Sequence, residues 1–170
     1  MTEMAKKETR DPLLYSFSAY DQYACLKPSL LLIAALLFLS RSYVMPIIAA
    51  VTRFSGSTAD LQNILPDANP VLGYLLGVPA LALLYASIKR TPTSGRFVRW
   101  LWNNGRSLLV VITLAQSYVP IRELLLSVGP SLPSSSVADF LVVLVNAQIL
   151  IFALTSRRVR DTFSQFPEPI

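Results

Sequence analysis

The chain has 170 residues, of which 53% are hydrophobic and only 15% charged, whereas an average soluble domain carries about 25% charged residues. Its net charge of +5 is not gathered in a separate basic region, so we expect no nucleic-acid partner. With one cysteine and no histidine, the chain cannot form an internal disulfide, a usual zinc site or a Ser-His-Asp triad. We therefore expect no metal, no cofactor and no enzymatic activity.

Residues 1–28 form a polar segment without the short apolar stretch and cleavage site of a signal peptide. Four apolar blocks follow, and each is long enough for a helix to cross a hydrocarbon core of about 30 Å, which takes about 20 residues. The blocks run over 29–51, 70–88, 107–127 and 137–155. The sequence thus predicts an all-α membrane domain over 29–156, a bundle of four transmembrane helices, with a tail over 157–170.

Basic residues predict the orientation of these spans, because cytoplasmic segments carry an excess of Lys and Arg. Twelve of the fifteen fall in the three segments that four spans place on one side. These are Lys6, Lys7, Arg10, Lys27, Lys89, Arg90, Arg96, Arg99, Arg106, Arg157, Arg158 and Arg160. We therefore predict that both termini are cytoplasmic.

The loop between the second and third spans alternates basic and aromatic residues. Tryptophan rings prefer the headgroup level of a bilayer, and anionic headgroups attract arginines. We expect this loop to lie on the membrane surface and to contact lipid through Arg96, Arg99, Trp100, Trp102 and Arg106. On the second span, Gly73 and Gly77 form a GxxxG pattern, which predicts close packing with a helix of the same chain or of a partner.

Arg41 is the one charge inside the first apolar block. A charged side chain at the centre of a membrane helix costs at least about 2.5 kcal/mol. Gln116, Glu123 and Asn146 fall at comparable depths on the third and fourth spans. We predict an intramembrane polar network in which Arg41 pairs with Glu123. The network either fixes helix register or binds an anionic group, unless a shifted first span lets Arg41 reach the outer interface.

Short motifs at both ends of the chain resemble a known family. They are Tyr20-Asp21, Leu26-Lys27-Pro28 and Ser40-Arg41 at one end, and Arg157-Arg158-Val159-Arg160-Asp161, Phe163 and Phe166-Pro167-Glu168 at the other. With them the chain resembles the YfeZ-like family of proteobacterial inner-membrane proteins, although Cys25 and Ser29 depart from its entry motif. The resemblance implies a bacterial inner-membrane location and no particular activity.

The tail is more patterned than a spacer requires. Its candidate docking residues are Arg157, Arg158, Arg160, Phe163 and Phe166. They form either a docking segment for a partner or an amphipathic tail whose phenylalanines enter the membrane interface.

Three functions are compatible with this sequence. The leading hypothesis is a non-enzymatic accessory or interaction subunit of a membrane complex, in contact with the bilayer and with a membrane-protein partner or a second copy. The alternative is a small oligomeric transporter or channel in which Arg41 lines an anion path. A lipid-modifying enzyme that uses Asp or Tyr at the interface is a third.

Overall fold

The computed structural model describes residues 15–54, 70–126 and 134–167. Parts of the predicted N-terminal segment, third span and tail lie outside these ranges. A 3₁₀ turn, Phe17–Ala19, precedes the helices, and an isolated bridge joins Tyr20 to Leu26. The described part contains no β-strand. Its helices are α1 (Leu30–Leu39), α2 (Arg41–Phe54), α3 (Pro70–Ile88), α4 (Arg96–Asn103), α5 (Gly105–Leu126), α6 (Ser134–Thr155) and α7 (Arg157–Ser164).

Helices α3, α5 and α6 are each long and apolar enough to cross a membrane, and α1 with α2 forms a fourth candidate if the pair is one broken span. Only 22% to 28% of the residues in the three long spans are buried within the protein. Most of their side chains are therefore half-buried or exposed, as expected where the solvent is lipid. The described chain is thus all-helical, with three to four candidate membrane spans.

The first span departs from the continuous helix predicted over 29–51. Helix α1 begins where the Ser29 side chain accepts a 3.1 Å hydrogen bond from the Leu32 amide. It ends after ten residues, about 15 Å, which is half of a hydrocarbon core. There the chain bends by 86° into α2. At the bend the Ser40 hydroxyl donates to the Leu36 carbonyl at 2.9 Å, a local bond that competes with regular helix.

Helix α5 is the central element of the fold and packs against α1, α3, α4, α6 and α7. Helix α1 also packs against α3, and α6 packs along α5. The core between them contains both large and small apolar side chains. The core comprises Leu32, Ala35, Leu36, Leu39, Ala80, Leu83, Ala86, Leu101, Trp102, Leu109, Ile112, Ile149, Ala153, Val159 and Phe163.

The two ends of the described chain meet. The Tyr15 hydroxyl donates to the Asp161 carboxylate at 3.0 Å, and the Leu26 amide donates to the Gln165 side chain at 2.7 Å. Both ends therefore lie at the same end of the helix bundle, which we call the termini end.

Candidate functional site

Arg41 is the first residue of α2 and is only 8% exposed. Its Nη1 donates a 2.7 Å hydrogen bond to Oε1 of Gln116 on α5. The Nε2 of Gln116 donates in turn to the Leu39 carbonyl at 2.6 Å. That carbonyl belongs to the end of α1, where a helix leaves its last carbonyls to other donors. A single amide thus holds both the buried arginine and the end of the helix that precedes it.

The surroundings of Arg41 are polar on one side and apolar on the other. Ser40 and Ser42 are buried beside it, and the guanidinium carbon lies 5.2 Å from the centre of the Phe38 ring. Helix α2 begins here, so its amide dipoles add positive potential at the same point. Gln116 is neutral, and its side-chain oxygen accepts one of the hydrogen bonds that the guanidinium can donate. We call Ser40, Arg41, Ser42 and Gln116 the polar centre.

Asn146, the third predicted member of the network, is fully buried on α6. Among the described residues, neither its amide nitrogen nor its amide oxygen has a hydrogen-bond partner. Arg106, at the start of α5, donates to the carbonyls of Ala153 and Leu154 near the end of α6. Counted from that contact at about 1.5 Å per residue, Asn146 lies within about one turn of the depth of Gln116. The structure brings Arg41 and Gln116 into contact and places Asn146 near their depth.

Glu123 is half-buried on α5. Arg41 donates a hydrogen bond to Gln116, another predicted member of the network. The Arg41–Glu123 pair stays a prediction.

The GxxxG pattern packs within the chain. Gly77 is buried against the ring of Tyr43 on α2, and a Cβ added to it would lie 3.0 Å from Tyr43 Cε2. The Tyr43 hydroxyl donates to the Tyr74 carbonyl at 2.9 Å, which ties α2 to α3 just after the bend. Gly73, one turn earlier, is half-buried. Close approach at Gly77 lets α3 support the broken helix.

A second group of polar contacts lies at the termini end. Arg90, at 5% exposure, donates from Nη2 to the Asp21 carboxylate at 2.7 Å and to the Leu26 carbonyl at 3.1 Å. Its guanidinium lies 5.0 Å from the centre of the Trp102 ring, within cation–π distance. The arginine that follows α3 thus joins the N-terminal segment to α4.

Asp21 is anchored by backbone as well as by Arg90. Its Oδ1 accepts from the Tyr23 and Cys25 amides at 2.9 and 3.1 Å. Burial alone would raise the pKa of this carboxyl, but the hydrogen bonds from Arg90 and the two amides outweigh it and hold the pKa below its ordinary value of 3.8. Asp21 is therefore ionised at neutral pH.

Trp102 connects this group to the tail. Its indole nitrogen donates to the carbonyls of Thr162 and Gln165, both at 3.0 Å, and its ring centre lies 4.8 Å from that of Phe163. The side chain is fully buried. We call Asp21, Arg90, Trp102, Phe163 and Gln165 the terminal cluster.

The residues predicted to contact the membrane surface separate into two groups. Arg96 and Trp100 are exposed. Trp102 is buried, so its assignment to the surface is wrong. Arg99 lies over the Phe166 ring, 5.0 Å from its centre, and Arg106 is bonded to the end of α6. The guanidinium groups of both arginines therefore make contacts within the chain.

The candidate docking residues of the tail separate in the same way. Arg157 and Arg160 are exposed. Phe163 is 3% exposed and Phe166 lies beneath Arg99. Arg158 lies 5.9 Å from the centre of the Tyr15 ring. The aromatic half of the tail is occupied by its own chain.

The terminal cluster contains residues that the sequence analysis did not single out. From the sequence, Arg90 is only one of the twelve basic residues that predict the orientation, and Asp21 is only part of a family motif. The partly buried ion pair of Asp21 and Arg90 joins positions 69 residues apart, and nothing local in the sequence marks it. No group of three or more His, Cys, Asp and Glu side chains that can hold a metal ion occurs among the described residues.

A match to a protein family covers almost the whole described chain. A family described as "protein of unknown function (DUF2919)" matches residues 15–165. The chain belongs to this family. The DUF2919 match begins at Tyr15 and ends at Gln165, so both of its limits lie at the termini end. No curated protein and no solved structure matches the chain.

Proposed function

We propose that this protein is a small transporter or channel of the bacterial inner membrane that binds an anionic solute at Arg41. The observation that carries this proposal is the buried arginine at the 86° break between α1 and α2. Membrane helices keep ionisable side chains chiefly where they serve ions, protons or substrates, because a charge costs so much there.

A broken helix near mid-membrane adds to this argument. In transporters, discontinuous helices place half-helix N-termini towards anionic groups of the substrate. Here α2 begins at the arginine itself, and Gln116 holds the end of α1 in place from α5. The guanidinium and the N-terminal end of the helix dipole both favour a negatively charged ligand.

The proposed topology is four spans with both termini cytoplasmic. The contacts Tyr15–Asp161 and Leu26–Gln165 support an even number of crossings, because they hold the two chain ends at one end of the bundle. With α1 and α2 counted as one broken span, the number of candidate spans is four. The excess of basic residues in the terminal segments favours the cytoplasm for that end. The YfeZ-like resemblance supports the inner membrane.

The rival hypothesis is a non-enzymatic accessory subunit. It rests on the basic and aromatic residues of the tail, which form a candidate docking segment. The packing of Phe163 and Phe166 within the chain removes two of the tail's five docking residues from that role in this conformation. An accessory role, a membrane-protein partner and the lack of enzymatic activity stay predictions. Isolation in mild detergent tests them: a stable heteromeric complex favours the accessory role, and a homo-oligomer with Arg41-dependent flux favours transport.

Anion-dependent stabilisation of the purified protein tests binding directly. A ligand at a hundred times its Kd stabilises the folded state by about 2.7 kcal/mol. We expect chloride, nitrate, phosphate or acetate, added as sodium salts, to raise the Tm of the wild type. The rise should disappear in Arg41→Gln and persist in Arg122→Gln, which changes an exposed arginine on α5.

If Arg41→Gln fails to fold, Gln116→Glu serves in its place. The new carboxylate would lie against the guanidinium and compete with any anion. It keeps an acceptor for Nη1 and loses the donor to the Leu39 carbonyl. Equal anion effects on the wild type, Gln116→Glu and Arg122→Gln would show a general salt effect and overturn the proposal.

A further inference from the structure

Helix α4 has one face within the protein and one face outside it. Leu101 and Trp102 are buried, whereas Phe97 and Trp100 are 66% and 56% exposed. The two exposed rings lie one turn apart and stack with their centres 6.4 Å apart. Arg96, also exposed, precedes them at the first position of the helix. The outward face therefore joins a large aromatic surface to a positive charge.

The position of α4 in the chain places this face at the boundary of the membrane. The helix lies between the end of α3 and the start of α5, both of which are candidate spans. It is held there by Trp102, which is bonded to the tail. Aromatic rings at such a boundary lie at the level of the lipid headgroups, with their apolar faces towards the acyl chains.

Charge at the termini end favours anionic lipid over neutral lipid. Among the charged side chains whose burial the structure describes, all the exposed ones are basic: Lys27, Lys89, Arg96, Arg122, Arg157 and Arg160. All but Arg122 belong to the segments around the termini end. The two carboxylates described there are engaged, Asp21 by Arg90 and Asp161 by the Tyr15 hydroxyl. The exposed charge of the described residues at this end is therefore positive.

We propose that Arg96, Phe97 and Trp100 form a binding surface for anionic phospholipids of the bilayer that contains the protein. The rings enter the headgroup region, and Arg96 binds the phosphate of an anionic headgroup. Arg99 does not bind the headgroup phosphate, since its guanidinium lies over Phe166. This surface is separate from the polar centre and holds whether or not Arg41 binds a solute.

The two tryptophans of the chain make the test specific, because one is exposed and the other is buried. The wild type and Trp100→Phe are reconstituted in phosphatidylcholine vesicles that contain equal amounts of either brominated phosphatidylglycerol or brominated phosphatidylcholine. The bromine atoms lie near the headgroup end of the acyl chains and quench nearby indoles. The fluorescence lost in Trp100→Phe reports on the outward face of α4, and the remainder comes from the buried Trp102.

We expect the Trp100 fluorescence to be quenched more by brominated phosphatidylglycerol than by brominated phosphatidylcholine. A basic residue near an anionic surface contributes about 1 kcal/mol, or about fivefold in local lipid preference. Arg96→Gln should reduce the preference by about that factor, high salt should weaken it, and Arg122→Gln should leave it unchanged. Equal quenching by the two lipids, or no quenching of Trp100 as expected beneath a protein partner, would overturn the proposal.

Discussion

Nη1 of Arg41 and Oε1 of Gln116 lie 2.7 Å apart, between the start of α2 and the middle of α5. The same glutamine donates to the Leu39 carbonyl on the other side of the helix break. A buried charge and a broken helix each cost free energy in a membrane, and one side chain offsets part of both costs. This arrangement makes Gln116 the residue on which the geometry of the polar centre depends most directly.

Gln116→Leu should therefore destabilise the protein. The substitution leaves a buried guanidinium donor and a carbonyl without the partner that they share, and such groups cost about 1–3 kcal/mol when left unsatisfied. Thermal unfolding in detergent measures the loss. Gln148→Leu is the matched control, since Gln148 is exposed on α6 and its replacement should be neutral or stabilising. Equal loss in the two variants would show that the hydrogen bonds of Gln116 contribute nothing specific.

Asp21 should make stability dependent on pH in the acid range. Its pKa is lower in the folded protein than the ordinary 3.8, because of the hydrogen bonds from Arg90 and the two amides. The stabilisation is therefore fully present at neutral pH and is lost as the pH falls below about 4 towards the folded-state pKa. Unfolding measured from neutral pH to about pH 3 should show a steeper loss in the wild type than in Asp21→Asn. Parallel curves would contradict this account of the ion pair.

Gly105→Ala should release the tail from the bundle. An added Cβ would overlap the Phe163 ring, which packs directly on Gly105. Overpacking of this kind costs about 1–3 kcal/mol, and here the strained contact is one of those that hold α7. Trypsin should then cleave faster after Arg157, Arg158 and Arg160.

The control for this experiment is Gly95→Ala, where an added Cβ meets nothing within 4 Å. Cleavage of Gly95→Ala should match the wild type. If Gly105→Ala also resists trypsin as the wild type does, the tail is held by other contacts.

The apolar blocks could be predicted from the sequence because length and hydropathy decide whether a helix can cross a bilayer. Helices α3, α5 and α6 agree with the predicted second, third and fourth spans to within a few residues. The break at Ser40 could not be predicted in this way. Hydropathy sums over the whole block, whereas the bend depends on a side-chain bond from Ser40 and a contact with Gln116, 77 residues from Leu39.

The loop around α4 shows a second limit of prediction from the sequence. Composition alone assigns Trp100 and Trp102 to the same surface. Two positions along a helix correspond to about 200° of rotation, so the two rings point to opposite faces. One is exposed to the surroundings and the other is buried against Phe163. Only the phase of the helix, together with the tail that covers one face, separates their roles.

Anion flux through reconstituted protein tests the central claim most directly. Liposomes containing the wild type, Gln116→Glu or Arg122→Gln are loaded with chloride, nitrate, phosphate or acetate, and efflux is followed after a potassium potential is imposed with valinomycin. We expect efflux of at least one anion from wild-type and Arg122→Gln liposomes. Gln116→Glu liposomes should show little efflux, because the new carboxylate lies against the Arg41 guanidinium. Efflux of every anion at the rate of protein-free liposomes, or at the same rate in all three proteins, would contradict a transport site at Arg41.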